Sequence, residues 1–375
     1  MAGIVVVGAG AIGGMLAARL AAQGVRVALV GREAQVEAIR REGLRLREPA
    51  GFVRRFPVPA TASVAEALAG EPPSLVALAV KTQDLAPVCR ELAPLLASLP
   101  GVPVITLQNG VQADALAGAV LGRERIVGAV VMCAASALEP GQVEVQFPGW
   151  LVVGEPFGRV RRRTRQVAEV LGAAVPTYVT ENLVGVRWSK LISNLNNGLC
   201  AATGLLMGEL LEHPAGRVLP VRVMKEGYAV ARAAGVRLDH GLYGLGGRAL
   251  AGGWRTAAIA VLQSTMTLVL AWLPERVATS VLVAAGRSGL GRLPVRGSTW
   301  QSLARGRPSE IDFLNGEIVR RGEALGVPVP YNRRVVETVH EVERTRRFVP
   351  VAALWPAGVA GAGKGKVLGW SERHG

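Results

Sequence analysis

Apolar and polar positions follow two different rhythms along this chain. Up to about residue 180, residues 3–7, 25–30, 74–80, 102–107 and 126–135 form short apolar runs rich in β-branched residues. Continuous runs of this kind suit strands buried on both faces of a parallel sheet. An Ala- and Leu-rich stretch over 12–23, ended by Gly24, fits a helix between the first two runs. Residues 143–145 and 151–153 are expected to continue the same sheet, with Gly141 at a hairpin-like turn. A helix over 159–171 and a last strand over 177–179 complete this part. Beyond it the rhythm changes to Ala- and Leu-rich helical stretches punctuated by Gly and Pro. Helices are expected over 186–197 and 219–234, and from an N-cap at Ser309 to 325, where Gly326 stops the last one. The pattern predicts an α/β Rossmann-type N-terminal domain over 1–180, a mainly α-helical domain over 181–350, and a flexible Gly- and Ala-rich tail over 351–375.

Residues 238–296 are harder to place. The stretch 256–273 is almost uncharged and about long enough to approach a membrane span. It also carries Thr256, Gln263, Ser264, Thr265 and Thr267 and is closed by Pro274. A buried or subunit-interface helix is the favoured reading, ahead of a true span; a homodimer is one option, the sequence leaving the oligomeric state open, and 287–296 reads as a Gly- and Arg-rich loop.

Composition narrows the function classes. With 375 residues and 50% hydrophobic content, the chain can bury two or three cores. The net charge of +15 invites a nucleic-acid reading. The arginines are scattered, however, apart from runs at 159–165 and 344–347, and aromatics for base stacking are few. Cys89, Cys133 and Cys200 are far apart and odd in number, which argues against disulfides and zinc and for a reducing, cytoplasmic compartment. The four histidines show no metal spacing, and the N-terminus opens on a strand rather than a signal peptide.

The chemistry begins after the first strand. Gly8, Ala9, Gly10, Ala11, Ile12 and Gly13 form GxGxxG between a strand and a helix, followed by a second strand. In that context the fingerprint is specific for a dinucleotide. Gly8 permits the turn, Gly10 lets the backbone approach a pyrophosphate, and Gly13 lets helix and sheet pack closely. The helix N-terminus supplies positive potential to the phosphates. The second strand ends at Gly31-Arg32 instead of an acid, which suits the 2′-phosphate of NADP, with Glu33 as a displaced ribose ligand the alternative. Lys81 and Asn109 stand at the ends of two further strands, where ligands bind in this fold. In the second half, Lys190, Asn194 and Asn197 stand at i, i+4 and i+7 of one helix, a polar stripe opposite Leu191, Ile192, Leu195 and Leu199. A lysine between amides can hold and protonate an oxygen-rich molecule, although a solvated surface lysine is the bland alternative. Glu310, taken alone, reads as a carboxylate favoured in a first helical turn.

Taken in order, these residues resemble the ketopantoate reductases (2-dehydropantoate 2-reductases). The match runs through residues 8–13, Val80-Lys81-Thr82, Gln108-Asn109-Gly110, Trp188-Ser189-Lys190 with Asn194, Ser298, Ser309-Glu310-Ile311-Asp312, Leu314-Asn315-Gly316, and 326–332. The resemblance implies reduction of 2-dehydropantoate to (R)-pantoate with NADPH, on the route to pantothenate and coenzyme A. It implies Lys190 as proton donor and Glu310 as a carboxylate near the nicotinamide ribose and the lysine. Asn109 and Asn194 match cofactor and substrate amides, Ser298 a substrate-carboxylate contact, and Lys81, Arg32 and Ala135 cofactor contacts. The chain departs from the family at Gly198, where a second asparagine is common and Asn197 stands one place early. It departs also at Gly208, at Ser302 in place of an acid, and in the length of 236–298.

Residue chemistry points the same way. No histidine lies in the candidate blocks, so Lys190 is left as acid and oxyanion stabiliser. Ser298 and Asn194 would hold oxygens, Glu310 would fix Lys190 or the substrate hydroxyl, and the site is expected in an interdomain cleft gated by closure. A reductase of another branched 2-oxo acid and a non-catalytic NADPH-binding protein are the alternatives.

Overall fold

A computed structural model describes residues 3–137, 139–239, 272–287 and 297–357. They fall into two compact units, one up to Val186 and the other from Arg187 onward.

The first unit is built on β1 (Ile4–Val7), α1 (Ala11–Ala22), β2 (Val27–Val30), α2 (Glu33–Glu42), β3 (Leu44–Arg47), β4 (Val53–Phe56), β5 (Ala60–Thr61) and α3 (Val64–Leu68). There follow β6 (Leu75–Leu78), α4 (Thr82–Ala97), β7 (Val104–Thr106), α5 (Ala113–Leu121), β8 (Ile126–Val131), β9 (Ala134–Ser136), β10 (Gln142–Phe147), β11 (Leu151–Gly154), α6 (Arg162–Gly172) and β12 (Thr177–Val179). The main sheet has the order β12-β11-β8-β7-β6-β1-β2-β5. It is parallel from β5 to β8, and β11 runs antiparallel to β8. Its central strands are apolar on both faces because helices cover both. Ile4, Val6 and Leu75 pack in the core that also holds Leu16, Leu20 and Leu171. Val5, Val7 and Val76 pack with Leu85, Cys89 and Leu92 of α4. The chain leaves β1 toward β2 on one side and later returns to β6 on the other, so the sheet has its switch point beside β1.

The expected single strand over 126–135 is two strands, and residues 143–145 do not continue the main sheet. β9 and β10 belong to a separate four-stranded sheet, β4-β3-β10-β9, that packs on α1. The cause lies near Met132. Its amide donates to the Trp150 carbonyl (2.8 Å), and Gly149, at φ +45°, approaches the Met132 carbonyl too closely for any side chain. The chain turns there and changes sheets. The Arg-rich run at 159–165 is partly structural: Arg163 grips the buried Glu155 through Nε (2.9 Å) and Nη2 (2.6 Å).

The second unit is helical. The boundary falls inside α7 (Leu183–Asn194), which is followed by α8 (Asn196–Thr203), α9 (Met207–Glu212) and α10 (Leu219–Ala233). Then come α11 (Glu275–Arg287), α12 (Ser298–Ala304), α13 (Asn315–Leu325) and α14 (Pro330–Thr345). Three expectations need correction here. The helix expected over 186–197 is broken at Leu195. The helix expected from Ser309 starts only at Asn315, after a 3-10 turn over Ile311–Phe313 and a kink at Leu314 (φ −111°, ψ −96°). The start of the expected tail is packed: the Trp355 indole donates to the Ala215 carbonyl (3.0 Å) and its ring meets Tyr331 edge-on. Helix α11 was not foreseen; Arg222 ties it to α10 through Glu275. No helix among the described residues is long and apolar enough to cross a membrane. Residues 240–271 and 288–296, with most of the expected 256–273 helix and the interface reading placed on it, lie outside the described residues.

Candidate active site

In the first unit the glycine loop sits at the sheet's switch point. The Gly8 amide donates to the Val30 carbonyl and the Ala79 amide to the Val7 carbonyl, both at 2.8 Å, so the ends of β1, β2 and β6 are tied together. Gly8 has φ +121°, and a Cβ there would lie 2.6 Å from the Ala79 carbonyl carbon. Gly13 is pressed against the Gly8 carbonyl, so it too excludes a side chain. Gly10 differs: nothing lies within 4 Å of the position its Cβ would take. Two glycines are thus demanded by protein packing, and one opens onto free space. Gly10 is also the N-cap of α1, with no capping side chain and no acid in the first turn. The first amides of a helix have no intrahelical acceptor, so this end suits a diphosphate. The donor set therefore fits a dinucleotide.

The other predicted cofactor residues border the same strand ends. Arg32 is the N-cap of α2, and its exposed guanidinium stands 3.5 Å from the Asp84 carboxylate. An exposed pair at that distance contributes little, roughly 0–1 kcal/mol, and leaves the arginine able to turn to a phosphate. Glu33, the alternative ribose ligand, is the first residue of α2 and sits where the helix dipole favours an acid. Lys81 is the N-cap of α4. Gln108, which sequence reasoning quoted without assigning a role, sets the loop before it. Its amide donates to the carbonyls of Leu78 and Val80, both at 2.9 Å, and Asn109 follows directly. Ala135 lies on β9, opposite Val145 of β10, in the sheet that covers α1.

In the second unit, Leu191, Ile192, Leu195 and Leu199 are fully buried, while Lys190, Asn194 and Asn197 are half-exposed. Four such leucine-type side chains stabilise the packing by about 1.5–3 kcal/mol each. The break at Leu195 changes how the polar residues line up. The Gly198 amide donates to the Leu195 carbonyl (3.3 Å), an i→i−3 bond. A tightened turn aligns i with i+3, which relates Asn194 to Asn197 rather than to residue 198. Gly198 faces inward: a Cβ there would lie 2.5 Å from Val335, 3.0 Å from Asn315 Oδ1 and 3.1 Å from Ile311. Asn197 instead lies against Gly297, whose Cβ would meet its amide at 2.8 Å, so it neighbours Ser298 at the start of α12. Ser302, which replaces the family's acid, is turned inward and donates to the Ser298 carbonyl (3.0 Å).

Glu310 is buried at the head of the 3-10 turn, five residues ahead of α13, so a carboxylate in the first turn of that helix is not its role. Its turn is clasped from α14: the Ser309 amide donates to Glu343 Oε1 (2.8 Å), and His340 Nε2 lies 2.9 Å from Asp312 Oδ1. His340 Nδ1 is also 2.8 Å from Glu343 Oε2. Burial works against the imidazolium, but the two carboxylates outweigh it and raise the His340 pKa. Nothing in the sequence signals this clasp, because its two halves are some thirty residues apart and share no motif.

Comparison with known proteins gives one consistent result. The profile of ketopantoate reductase PanE/ApbA matches residues 4–157, and that of its C-terminal domain matches residues 182–343. A 2-dehydropantoate 2-reductase of Mesorhizobium japonicum is 30% identical over 350 residues, covering 87% of this chain and 93% of its own. A crystal structure of a PanE/ApbA family ketopantoate reductase from Ralstonia eutropha superposes with a TM-score of 0.71 at 32% identity, covering 92% of this chain and 99% of its own. D-mandelate dehydrogenase, solved with NADH and anilino(oxo)acetate, has the same fold (TM-score 0.71) at 21% identity, over 91% of this chain and 99% of its own.

Proposed function

The chain belongs to the ketopantoate reductase PanE/ApbA family of oxidoreductases, and from that premise we propose that it reduces the C2 ketone of 2-dehydropantoate to (R)-pantoate with NADPH. One observation carries the reading: Lys190 stands half-exposed between buried Ser189 and Leu191, on the part of α7 that belongs to the second unit. Bound NADPH supplies the hydride. Lys190 delivers a proton to the ketone oxygen as it becomes the hydroxyl, and its charge stabilises the oxyanion on the way. Asn194 and Asn197 hold substrate oxygens, with Asn197 taking the part of the asparagine that position 198 has no room for. Ser298 holds the substrate carboxylate, and Glu310 orients Lys190. Gly8 to Gly13 and Lys81 hold the cofactor's diphosphate side, Asn109 and Ala135 its nicotinamide side. Arg32, free to leave Asp84, takes the 2′-phosphate; that makes NADPH the preferred cofactor.

A reductase of another branched 2-oxo acid is the second reading, favoured by the packed Gly198 and by the buried Ser302, whose hydroxyl donates to the Ser298 carbonyl. NADPH oxidation with 2-dehydropantoate beside 2-oxoisovalerate, 2-oxopantolactone and pyruvate separates them. Rapid turnover with 2-dehydropantoate alone is the expected result. Turnover only with another acid would move the substrate and keep the mechanism.

A further inference from the structure

Within the second unit a line of buried amides runs from α10 to the break in the lysine helix. The Glu226 carboxylate of α10 accepts the Tyr331 and Asn332 amides at 2.9 and 2.8 Å, so it caps the start of α14. The Asn332 side chain donates to Glu226 Oε2 (2.7 Å) and to the Val223 carbonyl (3.0 Å). Its Oδ1 accepts from Asn315 Nδ2 (2.9 Å), and the same Asn315 Nδ2 donates to the Leu195 carbonyl (3.1 Å). Asn315 and Asn332 are both fully buried. The polarity of the line admits one orientation. Two acceptors face Asn332 Nδ2, which turns its Oδ1 to Asn315, and two acceptors then face Asn315 Nδ2. Aspartate at either place would set oxygen against oxygen.

Leu195 is the residue at which α7 ends and α8 begins, so its carbonyl belongs to the join between Asn194 and Asn197. Asn315 also opens α13, directly after the turn that carries Glu310. One side chain thus bears on both halves of the proposed chemistry: the face with Lys190 and Asn194, and the turn with Glu310. Resting on the reading of Lys190 as the acid, we propose that Asn315 is a positioning residue, which sets the lysine–asparagine face and the Glu310 turn in register by holding the Leu195 carbonyl.

The test uses the full-length protein with Asn315→Ala and, as a variant that keeps one donor and folds more readily, Asn315→Ser. Three quantities are read: kcat with its alkaline pH limb, the NADPH dissociation constant, and the titration of Lys190 by NMR after 13C-methylation of the lysines. Lys81, Lys190, Lys225, Lys364 and Lys366 are the chain's five lysines, and Lys190→Arg identifies the resonance. Misplacement of a catalytic group by about 1 Å costs on the order of 100-fold in rate. Asn315→Ala is therefore expected to lower kcat by about 10- to 100-fold and to move the Lys190 titration, with NADPH affinity within about twofold of wild type; Asn315→Ser should fall between. A variant that melts earlier but keeps both kcat and the Lys190 titration would overturn the proposal and leave Asn315 a packing residue. Failure of the Lys190 reading is seen separately, as unchanged turnover in Lys190→Ala. The NMR titration needs no substrate and still decides whether Asn315 controls the lysine.

Discussion

Lys190 is the residue on which the proposed chemistry turns. Lys190→Ala is expected to lower kcat by roughly two to four orders of magnitude, with NADPH binding nearly intact, as steady-state kinetics and a fluorescence titration will show. Arg32 is the residue proposed to choose the cofactor. Its partner Asp84 is exposed and loosely held, so Arg32→Asp should shift the ratio of kcat/KM values toward NADH without loss of fold. An unchanged ratio would count against the 2′-phosphate reading. His340 is a residue of a different kind, holding Asp312 and Glu343 together beside the Glu310 turn. Its pKa is raised in the folded chain, so the protonated clasp contributes stability that is fully present below the ordinary 6.5 and is lost as pH rises through the folded value. His340→Gln should therefore flatten the fall of melting temperature on the alkaline side of neutrality. Of these three, Lys190 and Arg32 could be named from the sequence because each sits in a local pattern. His340 could not, since its meaning comes from a turn distant in the chain.

At the scale of elements, the glycine loop and the broken lysine helix behave differently under substitution. Gly13 is closed by its own protein and Gly10 is open. Gly13→Ala is expected to cost about 1–3 kcal/mol of stability by overpacking. Gly10→Ala should melt close to wild type yet bind NADPH much more weakly, because its methyl takes space that a diphosphate would use. Calorimetric melting beside cofactor titration distinguishes the two, and equal loss of stability in both would contradict the cradle. The strand–glycine–helix order was legible because hydrophobic period and glycine spacing are local signals. The break at Leu195 was not legible. No Gly or Pro marks it, and Leu195 keeps helical angles (φ −57°, ψ −30°). On the far side of the helix, Gly227 brings α10 close against Leu195 and Ile192, a contact between segments distant in the chain.

Across the whole molecule, three carboxylates tie charge to fold. Glu155 pairs with Arg163, Glu317 with Arg320 and Arg321, and Glu343 with His340 and the Ser309 amide. Burial alone would raise their pKa values, but these partners outweigh it and hold each below the ordinary 4.5. A lowered carboxylate stabilises the fold above its unfolded pKa and loses that contribution as pH falls through the folded value. Both units carry such a group, so both are expected to lose stability below about pH 4.5, as thermal melts across acid pH would report. Glu226 acts in the opposite sense: burial raises its pKa despite the amides it accepts, so its ionised form costs stability that acid restores. The sequence by itself determined the fold class and the strand–glycine–helix order at the start of the chain, and it singled out Lys190 as the candidate acid. All of these follow from short-range periodicity, spacing and side-chain chemistry. The tertiary structure decided which strands left the main sheet, that Glu310 heads a turn rather than a helix, that Asn197 and not residue 198 lies against Gly297, and that Asn315 reaches the Leu195 carbonyl. Each of these depends on close approach between segments distant in the chain, and only packing determines where two such segments meet.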